Sequence, residues 1–148
     1  MNCQVFIWGM FPLVFSVFYK LAGMSAFLLI GFIFPVFWIY INRFIFKKFK
    51  INHSYIYIHI PSIIFFLIAC FEVFFFNNTP SYIESKNIIS ATLSQLFFYP
   101  AAFFETLLFG NLPVMRNSIF YFPIHYFFCL VIMIICGYIG YILGKIEQ

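Results

Sequence analysis

The chain has 148 residues, of which 65% are apolar and 8% charged; its formal net charge is +4 and it contains no aspartate. So few polar side chains cannot cover a water-soluble domain, because the outside of such a domain needs far more hydrogen-bonding surface than this chain carries. The missing aspartate also excludes paired-aspartate proteolysis and aspartate-dependent phosphoalcohol transfer.

Apolar runs near the ~20 residues needed to cross a bilayer recur along the chain with short polar breaks between them. Residues 1–148 therefore read as one transmembrane domain, an all-α polytopic helix bundle of about five spans with short loops and no soluble domain. The excess of phenylalanine, 26 residues, is the bias that T-rich codons impose on a hydrophobic protein and points to an AT-rich genome. Cys3, Cys70, Cys129 and Cys136 have no paired spacing and read as small apolar side chains, with neither a disulfide framework nor a zinc site. Met1-Asn2-Cys3-Gln4 lacks the basic start of a secretory signal, so the first apolar run is expected to be structure.

The first span is expected at about 5–19 and the second at about 24–41, folded back at Lys20-Leu21-Ala22-Gly23. Pro12 and the shortness of the first run leave four spans plus an N-terminal re-entrant segment as the alternative. Trp38 and Tyr40 close the second span as aromatics at headgroup depth. Arg43, Lys47, Lys48 and Lys50 follow in a break between apolar runs; they serve as a topology signal or bind lipid headgroups, and the positive-inside rule places them on the cytoplasmic or matrix side. The third span is expected at about 54–76, then an outer loop opening with Asn77-Asn78-Thr79, the fourth at about 88–109, and the fifth at about 119–143. This scheme leaves the C-terminus on the side opposite the basic segment.

Each apolar segment carries one proline, Pro12, Pro35, Pro61, Pro100 and Pro123, which can kink a helix inside lipid. On the fourth span Ala91, Ser94, Gln95, Phe98, Ala102 and Glu105 share one face, small and polar, that suits contact with protein. The fifth has a stripe of Tyr121, His125, Cys129, Ile132, Cys136 and Gly140. Gly137, Gly140 and Gly144 add a close-approach patch containing a GxxxG pair.

His59, Glu105 and His125 each fall about 8 Å inside the inner end of their spans at 1.5 Å per residue, so a shared polar layer with Gln95 and Ser94 is expected. Two imidazoles and a carboxylate suit either a divalent-metal set or a proton relay; haem ligation by the two histidines ranks lower, and no cofactor is expected. Glu72 belongs to the outer end of the third span. With no nucleophile turn and no phosphate-cradling glycine loop, no enzymatic role is expected. The leading expectation is a small structural or accessory subunit of a membrane assembly, in a prokaryotic cytoplasmic membrane or an organellar inner membrane. Its partners would be lipid and other subunits or further copies of the chain, not nucleic acid. The alternative is an oligomeric channel or transporter that uses the Glu/His layer.

Overall fold

A computed structural model describes residues 3–22, 25–49, 55–76, 97, 98, 100–102 and 121–147. Among these, every regular element is helical: α1 (Cys3–Gly9), α2 (Phe11–Ala22), α3 (Ser25–Phe49), a 3₁₀ turn (Tyr55–His59) running into α4 (Ile60–Phe76), and α5 (Tyr121–Ile146). Residues 97, 98 and 100–102 are also helical. One stretch of the described residues, Pro123–Ile146, is long and apolar enough to cross a membrane.

The first apolar run is not one helix. Pro12 has no N–H for the carbonyl of Trp8 and its ring crowds that carbonyl, which favours an end to helix α1 before it. The chain breaks at Met10, where Met10 N–H donates to Ile7 O and Leu13 N–H to Met10 O, each at 3.0 Å. Pro12 then lies in the first turn of α2, where an N–H has no intrahelical partner anyway. Pro61 and Pro123 occupy the first turns of α4 and α5 in the same way, and Pro35 alone lies deep within a described helix. Phe11 packs on Phe37 at 5.5 Å between ring centres, so α2 begins beside the middle of α3 and runs along only half of it. In place of a single span at 5–19 there are two helices of 7 and 12 residues, each far shorter than a bilayer is thick. Of the expected turn at Lys20-Leu21-Ala22-Gly23, Lys20 to Ala22 are the last residues of α2 and Gly23 lies outside the described residues.

Helix α3 continues eight residues beyond Ile41. Arg43, Lys47 and Lys48 thus stand on its last two turns, not in a loop, where cations complement the negative end of the helix dipole. Its buried positions recur every three or four residues: Gly31, Phe34, Pro35, Trp38, Ile41, Asn42, Ile45 and Phe46. Phe32, Ile33, Val36, Phe37, Tyr40 and Phe44 point outward. Trp38 is fully buried, and its indole N–H donates to Met133 O of α5 at 2.9 Å.

Helices α3 and α5 form the main contact of the bundle, and they run parallel. Trp38 meets Met133, Phe46 meets Tyr141, and Arg43 with Lys47 meets Glu147, so position advances together on both helices. The 3₁₀ turn and α4 run the opposite way along α5: His59 lies at Gly137, whereas Phe66 lies at Phe127. At 1.5 Å per residue α3 is about 37 Å long and α5 about 39 Å, and Tyr55–Phe76 covers about 35 Å. Phe97 stacks on Phe65 at 4.6 Å and Phe98 on Tyr126 at 5.1 Å, between α4 and the first part of α5.

Candidate functional site

The parallel pair is close because α5 turns glycine toward α3. A Cβ on Gly140 would overlap the carbonyl of Ile39 and come within 2.6 Å of Asn42 Cβ. One on Gly144 would lie 2.7 Å from Arg43 O, again backbone, which cannot swing aside. At Gly137 the overlap is with the imidazole of His59, a side chain that can turn. Gly9 makes an equivalent approach elsewhere, where a Cβ would strike the carbonyl of Ile58 and lie 2.9 Å from the ring of Pro61.

His59 is buried at this junction, edge-on to Trp38 at 6.1 Å and to Tyr55 at 5.8 Å. Asn42 is buried beside it on α3, its amide N–H donating to Trp38 O at 2.7 Å, and its Oδ1 lies 3.4 Å from the Cβ position of Gly137 that His59 also faces. Among the described residues, Asn42 Oδ1, both ring nitrogens of His59 and the hydroxyl of Ser62 are buried without a hydrogen-bond partner. An unpaired buried polar group costs about 1–3 kcal/mol. Asn42 and His59 thus put polarity beside Trp38 and Gly137, and Ser62 follows one turn beyond His59 on α4.

The structure does not bring His59 and His125 into one layer. His59 packs at Gly137, and twelve helical residues separate Gly137 from His125, about 18 Å along α5. His125 is half-buried nearer the start of α5, 6.0 Å between ring centres from Tyr126. Ser94, Gln95, Glu105, Ala91 and Lys50 lie outside the described residues, as do the Asn77-Asn78-Thr79 triplet and most of the expected span at 88–109. Of that span's polar stripe, Phe98 is buried and Ala102 half-buried. On α5, Cys129, Ile132, Cys136 and Gly140 are all buried. Among the described residues no three His, Cys, Asp or Glu side chains gather as a metal set.

A second polar site lies at the shared end of α3 and α5. The Glu147 carboxylate accepts from Arg43 Nη2 through Oε1 and from Lys47 Nζ through Oε2, the latter at 3.1 Å. Hydrogen bonds from Arg43 and then Lys47 hold the Glu147 carboxyl below the ordinary carboxylate range. Lys48 lies 5.6 Å over the ring of Phe44, and Lys145 is exposed in the last turn of α5. The C-terminal ends of α3 and α5 are therefore adjacent, whereas the five-span scheme sets them at opposite ends.

Sequence reasoning singled out His59 and the glycines but passed over Asn42, Ser62 and Glu147. A polar residue at Asn42, one turn beyond Trp38 on the buried face of α3, was a readable signal. Glu147 gave none, since its partners are about a hundred residues away. The chain matches no protein-family model, no curated protein and no solved structure.

Proposed function

We propose that the chain is an integral membrane protein, a non-catalytic structural or accessory subunit whose helices α3, α4 and α5 all cross the bilayer. One observation carries this reading: the distribution of polarity is inverted. Val36 on α3, Leu67 on α4 and Ile135 on α5 are exposed by 68%, 58% and 54%, whereas Asn42, His59 and Ser62 are fully buried. Exposed apolar faces on every side need hydrocarbon or partner helices to cover them, and polar groups inside a bundle need each other. The α1–α2 pair, broken at Met10, fits the re-entrant alternative better than a complete span.

The directions of the helices refine the topology of this proposal. Helices α3 and α5 are parallel, so with α4 as the single described crossing between them, Phe76 and Tyr121 stand at the same end of the bundle. By the positive-inside rule, the basic residues at the common end of α3 and α5 support the cytoplasmic or matrix side for that end.

The test is purification of the tagged chain from its native membrane in mild detergent, with mass spectrometry of whatever accompanies it. A fixed stoichiometric set of other membrane proteins is the expected result. The unpartnered polar atoms of His59, Asn42 and Ser62 favour a second reading, an oligomeric channel or transporter with a path at that junction. Recovery as a lone homo-oligomer, with proton or ion flux abolished by His59→Ala, would replace the subunit reading with that one.

A further inference from the structure

The parallel course of α3 and α5 builds a groove at their common end. Its volume is about 250 Å³, and Tyr40, Arg43, Phe44, Lys47 and Glu147 line it. Arg43 and Lys47 are one turn apart on α3 and direct their charges at the two oxygens of a single carboxylate. Tyr40 and Phe44, exposed by 60% and 47%, form the apolar walls beside them. Two cations face one anion here, and Lys48 and Lys145 add positive charge at the same end.

We propose that this groove binds the phosphate of an anionic membrane lipid, and that Glu147 is an internal anion which the phosphate displaces. The inference rests on the membrane reading above. A carboxylate and a phosphate both offer a pair of acceptor oxygens, and the Arg43 fork suits either. The resident ion pair is exposed, and such pairs are weak and screened by salt, so Glu147 is readily exchanged. An anionic leaflet supplies the competing phosphate at high local density, attracted by each basic side chain near its surface. Tyr40 lies one turn nearer the middle of α3 than Arg43, at the depth where aromatic side chains sit among headgroups, and it faces the lipid's glycerol region. Glu147 thus acts as a gate on the site: it neutralises the groove in the absence of lipid and weakens binding by competition in its presence.

The full-length chain, purified in a neutral detergent, is titrated with phosphatidylglycerol, phosphatidylcholine and inorganic phosphate, and bound ligand is counted by native mass spectrometry. Phosphatidylglycerol should bind at least tenfold more tightly than phosphatidylcholine, with inorganic phosphate weaker than either. Arg43→Gln and Lys47→Gln should each weaken it about fivefold, from ~1 kcal/mol per charge. Glu147→Gln, an exposed change that leaves the bundle intact, should tighten it by a similar factor, and Lys48→Gln should alter it least. Equal binding of the two lipids, or a Glu147→Gln variant that binds no better, overturns the site. Saturation by inorganic phosphate at the same concentration overturns the lipid as its occupant. Alkaline carbonate washing of native membranes reads the premise separately: release of the chain removes the membrane reading, whereas retention with indifferent lipid binding removes the groove alone.

Discussion

Gly140 and Gly137 look alike in the sequence and differ in what they touch. A methyl group at Gly140 meets the backbone of Ile39, so Gly140→Ala should destabilise the bundle by about 1–3 kcal/mol, measured as loss of detergent-resistant folded protein. At Gly137 the obstacle is the His59 ring, so Gly137→Ala should be milder, and its penalty should largely vanish in a His59→Ala background. A double-mutant cycle should return a coupling of about 0.5–3 kcal/mol, and additive effects would show that the two residues do not touch. Glu147 sets a pH dependence whose sign follows from its lowered pKa. The pair with Arg43 and Lys47 is complete above the ordinary value near 4.5 and is lost as pH falls through the lower folded value. Amide exchange in the last turn of α5 should therefore accelerate only in acid, and Glu147→Gln should abolish the change. The glycine spacing was legible because backbone approach needs small residues at helical intervals. That His59 fills the space opposite Gly137 was not, because no local rule pairs residues so far apart in sequence.

At the level of elements, the apolar runs expected at 54–76 and 119–143 overlap the 3₁₀ turn with α4 and α5, but a run of apolar residues says nothing about direction. Boundaries drawn at the first charged residue stopped the second span at Ile41, whereas the helix tolerates Arg43, Lys47 and Lys48 on an exposed face and gains from them at its C-terminal end. Pro12 was recognisable as a disturbance; whether it kinks a helix or begins a new one depends on the helix before it, which ends in Gly9 packed against Ile58. The parallel order of α3 and α5 yields a prediction at this scale. Cysteines placed at Lys48 and at Lys145, in a chain whose native cysteines are changed to serine, should be labelled by an impermeant maleimide from the same face of sealed vesicles. Labelling from opposite faces would contradict the contact between Glu147 and the end of α3.

For the whole molecule, the 65% apolar composition pointed to helices with an apolar exterior, and among the described residues large apolar side chains are exposed on α3, α4 and α5. What composition leaves open is which polar residues meet. His59 and His125 were grouped by equal distance from assumed span ends, and that measure fails when helices enter at different depths and with unequal overhangs. The contact between Trp38 and Met133 joins residues 95 positions apart, and Arg43 reaches Glu147 across 104. During synthesis at ~5–20 residues per second, α3 therefore waits on the order of 5–20 s for the helix that covers Trp38 and Asn42. Throughout that interval the indole N–H of Trp38 lacks the Met133 carbonyl that accepts it in the finished fold. A nascent chain stopped before Tyr121 should accordingly be degraded far faster than the full-length protein, as a pulse-chase would record, and co-expression of α5 as a separate segment should restore its lifetime.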